Sequence, residues 1–104
     1  MNTHYYHSVY FWMRENGDAD DAQKNADGCR GYLANIPGIV TMNVGFPAGT
    51  PGNHVDNSYG VALLMEFETK EARDLYEDHP DHQRFIADFH HLWSRVQVYD
   101  AVPA

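Results

Sequence analysis

Apolar side chains recur along this chain in two rhythms, and the switches between them mark its elements. Residues 5 to 14, YYHSVYFWMR, are aromatic and β-branched with no Gly or Pro, the composition of a strand. Alternation places Tyr5, His7, Val9, Phe11 and Met13 on one face and Tyr6, Ser8, Tyr10 and Trp12 on the other. Both faces carry large apolar groups, so this strand is expected to be covered on both sides. Gly17 ends it, and Asp18 or Asp20 suits a helix N-cap. Ala22, Ala26, Cys29, Leu33 and Ile36 then recur at steps of three or four, a helix that Pro37-Gly38 stops. IVTMNVGF, residues 39 to 46, reads as a second strand. The polar stretch PAGTPGNHVDNS is long for a hairpin loop, and a loop of that length is expected either to be mobile or to border a site.

SYGVALLMEFE, residues 58 to 68, is a third strand, with Tyr59, Val61, Leu63, Met65 and Phe67 on one face and Gly60, Ala62 and Leu64 on the other. Thr69 caps a short helix expected to bury Ala72, Leu75 and Tyr76. His79-Pro80 interrupts that helix, because a residue before proline is pushed out of the α region. Pro80 suits the first position of a new helix, through about His91, and a last strand runs from Ser94 to Val102. The order β-α-β-β-α-β predicts an α+β, ferredoxin-like fold: a four-stranded antiparallel sheet with helices on one face, as a single domain over residues 1–104. Helices on one face leave the other bare, yet the first and third strands are apolar on both. The chain is therefore expected to pair with itself, sheet against sheet, as a homodimer.

Composition narrows the partners. The 104 residues carry a net charge of −8, which repels nucleic acid and anionic lipid, so neither is an expected partner. No apolar run is long enough for a membrane span. The single Cys29 cannot form an internal disulfide, and the N-terminal stretch lacks the pattern of a signal peptide; a cytoplasmic location is expected. Gly-rich phosphate loops, a nucleophile elbow and CxxC pairs are absent, and no cofactor is expected.

The candidate chemistry lies in LYEDHPDHQRF, residues 75 to 85. His82, Phe85, Ile86 and Phe89 fall at i, i+3, i+4 and i+7, one inward stripe. The corner at His79-Pro80 brings this stripe towards Tyr76. Two readings follow: a core histidine bonded to Tyr76 or a backbone carbonyl, or a pocket with His82 as general base and Tyr76 as donor to a carbonyl. His79 and His82 do not share a helical face across the proline, so no metal site is expected.

HSVYFWM, NIPGIVTMNVGF, SYGVALLMEFET, LYEDHPDHQRF and VQVYD together resemble the stress-responsive dimeric α/β-barrel (Dabb) family over nearly the whole chain. The resemblance implies a ferredoxin-like protomer whose sheet pairs with a second copy to close a dimeric barrel. One relative in that family, the plant olivetolic acid cyclase, is a cofactor-free polyketide cyclase. That likeness implies catalytic roles for Tyr76 and His82 and a pocket histidine at His7. His79, Phe85 and Phe89 join His7 as expected ligand-binding residues. Most family members have no established activity, so the expected function is a homodimeric barrel protein holding a small apolar or aromatic ligand between sheet and helices. The alternative is a cofactor-free cyclase or lyase with a Tyr-His dyad. A cofactor-free monooxygenase is a third reading, on fold likeness alone.

Overall fold

The computed structural model describes residues 3–104. The elements are β1 (Tyr5–Met13), α1 (Asp21–Leu33), β2 (Ile39–Gly45), β3 (Val61–Phe67), α2 (Lys70–Asp78), α3 (Pro80–Phe89), a 3-10 turn (His90–Leu92) and β4 (Trp93–Ala101). The strands form one antiparallel sheet in the order β2-β3-β1-β4. This is the ferredoxin-like arrangement, with the helices on one face. Among the described residues no helix is long and apolar enough to cross a membrane.

Register decides what meets what on the helix-covered face. His7 lies between Met65 and Asp100, Val9 between Leu63 and Val98, and Phe11 between Val61 and Val96. These rows and the α1 stripe of Ala26, Cys29 and Leu33 build the core, with Phe67, Tyr76 and Phe85. Gly28 lets α1 and α3 close on each other, since a Cβ there would stand 2.4 Å from the Phe89 ring. Gly38 turns the chain from α1 into β2 with φ +92°, in the left-handed region that glycine tolerates.

The caps explain the corner. Thr69 accepts a hydrogen bond from the Ala72 backbone N–H at 3.1 Å, the N-cap of α2. His79 is extended (φ −64°, ψ 138°), ends α2 and caps α3, its Nδ1 accepting from the Asp81 backbone N–H at 3.0 Å. Pro80 follows at the start of α3, where its missing N–H costs nothing. Asp20 stands at the N-cap of α1 without a side-chain cap bond; next to it the buried Asp21 pairs with Arg14 at 3.0 Å.

Two expectations fail. Leu75 is 73% exposed. Tyr76 takes the inward direction on this short helix, and Leu75, about 100° round the axis from it, faces solvent. Tyr59 precedes β3, and its ring packs on Tyr10 and Trp12, on the helix-free face. Strand alternation therefore does not carry through Gly60. That face also exposes Tyr6, Leu64 and Tyr99.

Candidate functional site

A cavity of about 390 Å³ opens between β1, β4 and the α2–α3 corner. His7, Tyr76, His82 and Phe85 line it, together with Val96, Val98 and Asp100 of β4. Val96 and Val98 sit on the helix-covered face of the sheet, yet are 39% and 40% exposed. The helices do not reach over β4, so the space stays open. An engineered apolar cavity of about 150 Å³ accommodates benzene, so this one has room for a small aromatic molecule.

Tyr76 stands at the centre of the polar groups. Its ring centroid is 4.5 Å from that of His82 and 5.8 Å from that of His7, and it packs on Phe67 at 5.1 Å. The residue is almost wholly buried, and burial pushes its phenol above the usual tyrosine range, so it stays protonated as an O–H donor.

His82 is half-buried, and burial lowers its pKa from the ordinary 6.5, so the ring is neutral at neutral pH. Its Nδ1 lies 3.0 Å from the Glu77 carbonyl oxygen. A carbonyl only accepts, so Nδ1 carries the hydrogen and Nε2 holds the free lone pair. Of the two partners expected for His82, Tyr76 or a backbone carbonyl, the ring takes the carbonyl. The ring contacts Tyr76 but donates to the backbone at the end of α2, because the chain reverses at His79-Pro80 and leaves that carbonyl without a helical partner.

His7 is the deepest of the histidines, at 3% exposure. Its Nδ1–H donates to Asp100 Oδ1 at 2.6 Å. The other oxygen of Asp100 faces Arg73 Nη2 at 3.4 Å, and Arg73 Nη2 also lies 3.6 Å from Glu77. A carboxylate thus orients the His7 imidazole and leaves its Nε2 as an acceptor, while Arg73 shares the acidic charge.

The structure therefore brings His7, Tyr76, His82 and Phe85 to one cavity. His79 and Phe89 lie outside its lining. His79 uses its ring as a helix cap, and Phe89 turns towards Gly28 and stacks edge-on with Tyr32, 5.3 Å between centroids. Asp100, Arg73, Val96 and Val98 were not identified as site residues from the sequence. Val96, Val98 and Asp100 alternate along VQVYD, which marks one strand face. Only the pairing of β4 with β1 reveals that Asp100 meets His7. Cys29 is buried in the core, with its thiol pushed up to about 12 by burial, and does not line the cavity. Its environment is that of a packing residue.

Comparison with known proteins gives the class first. The chain folds like a Dabb family protein from Mesorhizobium loti with a ferredoxin-like fold (22% identity, 97% of each chain covered, TM-score 0.78). A dimeric ferredoxin-like protein of unknown function from Thermobifida fusca is similar as well (17% identity, 96% of this chain and 91% of that one, TM-score 0.80). So is the hydroxynitrile lyase from Passiflora edulis (14% identity, 100% and 96% covered, TM-score 0.82). At these identities the likeness is one of fold. The family follows from sequence: the model of the stress responsive A/B barrel domain matches residues 5–103, and the chain belongs to the Dabb family. No curated protein matches it.

Proposed function

We propose that this protein is a homodimer that binds a small apolar or aromatic carbonyl compound in the cavity between sheet and helices. The observation that carries the reading is the open space reaching Tyr76, His82 and His7 together, with apolar walls from Phe85, Val96 and Val98. A closed corner would have left only a structural role. Dimerisation covers Tyr6 and Leu64 on the helix-free face, and solved proteins of the same fold are dimeric.

The second reading is a cofactor-independent cyclase or lyase on the same cavity, favoured by the protonation states. His82 Nε2 takes a proton from the carbon next to a carbonyl, the electron pair moves onto the carbonyl oxygen, and the Tyr76 hydroxyl donates a hydrogen bond to that developing oxyanion. His7, oriented by Asp100, stands ready as a second acceptor. The neutral His82 and the protonated Tyr76 are the forms this chemistry needs. The fold likeness to a hydroxynitrile lyase is compatible with proton transfer in such a cavity.

One experiment addresses both. Acetophenone incubated with the protein in D2O should exchange its methyl hydrogens for deuterium faster than in buffer. His82→Gln should abolish the excess rate and Tyr76→Phe should lower it, with the fold intact by circular dichroism. Binding without exchange leaves the ligand-binding reading and removes the enzymatic one. Absence of both removes the two together.

A further inference from the structure

The helix-free face of the sheet carries a second hollow, of about 310 Å³, walled by Tyr10, Trp12, Asp56, Tyr59 and Tyr99. Its rings stand almost at right angles. Tyr59 meets Tyr10 at 72° with centroids 5.0 Å apart, and Trp12 at 78° and 6.4 Å. Tyr99 meets Tyr10 at 71° and 6.1 Å. Rings set this way form the walls of a box.

A carboxylate is tied into the same structure. Asp56 Oδ1 accepts the Ser58 backbone N–H at 2.8 Å, and the Ser58 hydroxyl accepts the Trp12 indole N–H at 2.9 Å. Hydrogen bonding to Ser58 lowers the Asp56 pKa, so the group is ionised at neutral pH. Among the described residues Arg95 is the cation that acts on it, by coulombic attraction. The surface already holds one cation on an aromatic wall: the Arg95 guanidinium carbon lies 4.3 Å from the Trp12 ring centroid. Arg95 hydrogen-bonds to Gln97 at 3.3 Å and attracts the Asp56 carboxylate through space without a direct salt bridge.

We propose that this hollow is a cage for a quaternary or methylated ammonium group. Aromatic faces attract such a cation through their quadrupoles, and its methyl groups fill an apolar box without needing hydrogen-bond acceptors. Asp56 supplies the opposite charge at the mouth. A primary ammonium suits the box less well, since it would lose its hydration without acceptors in the walls. The cage is separate from the inner cavity and lies across the sheet from it. A second protomer packing on this face would roof it.

Tetramethylammonium chloride is the probe, titrated into the full chain against sodium chloride at equal ionic strength. The Trp12 indole N–H is followed by NMR and the assembly by sedimentation. The expected result is a saturable shift, weakened about fivefold or more by Asp56→Asn and lost in Tyr59→Leu. The neutral isostere tert-butanol should produce none. A non-saturating response, equal binding of tert-butanol, or dissociation of a dimer by the cation would overturn the cage. A monomer that binds the cation specifically would leave the cage standing and remove the dimer reading.

Discussion

The two halves of the layer between sheet and helices lie on one sheet and end differently. Beneath α1, Cys29, Leu33 and Ile36 close on Val61 and Phe67, and none of the five is more than 3% exposed. Beneath the α2–α3 corner, Val96 and Val98 face the helices and stay open to solvent. Helix length and placement make the difference. The longer α1, drawn close to α3 by Gly28, seals one side. Two shorter helices bent at Pro80 leave the β4 side uncovered. The polar groups gather where packing is incomplete, at His7, Tyr76, His82, Arg73 and Asp100. One half holds the fold together and the other half is available for chemistry.

Truncation tests that division most strongly. Leu33→Ala or Phe67→Ala removes fully buried groups and should cost about 3–5 kcal/mol in urea unfolding. Val98→Ala, on the open side, should cost less than about 1 kcal/mol. Equal losses would erase the contrast. Cys29 reports on the sealed half in the same way: with its thiol buried and pushed up to about 12, it should label with iodoacetamide only as the protein unfolds. Rapid labelling of the native protein would mean that the α1 side opens.

Filling the open half gives a smaller effect on stability. Val98→Phe projects into existing space, so unfolding should shift by no more than about 1 kcal/mol while ligand binding is lost. A large destabilisation would show that the space is not free.

The smallest effect is pH-dependent. His82 has a folded-state pKa below its ordinary 6.5, lowered first by burial. Between those two values the unfolded chain binds more protons than the folded one, so stability rises with pH through that window. Acidification below 6.5 should therefore weaken the fold until the folded-state pKa is passed. His82→Gln should flatten this part of the profile. A His82 imidazole titrating above 6.5 by NMR would reverse the sign.

Much of the architecture was legible in the residue pattern. The two-rhythm periodicity carried the element order, and the restriction before proline placed the break at His79. Ala26, Cys29 and Leu33 of α1 are buried as their spacing implies, and so is Ile36, although the helix ends before it at Leu33. The site was legible in part. Tyr76, His82 and His7 lie together, but the partners of the two histidines did not follow from spacing. Asp100 meets His7 through strand register, a long-range property, and the Glu77 carbonyl becomes available to His82 only because the chain turns. Phe89 shares the helical stripe of Phe85, yet the gap at Gly28 draws it towards α1. A stripe shows which residues point inward, not which space they enter.

The most direct measurement is an NMR titration of the full chain with acetophenone, following the methyl groups of Val96 and Val98 and the His82 ring. The account predicts saturable shifts at all three, absent in Val98→Phe, while the methyl groups of Leu33 and Val61 stay unmoved. Shifts confined to other surfaces, or none at saturating ligand, would contradict it.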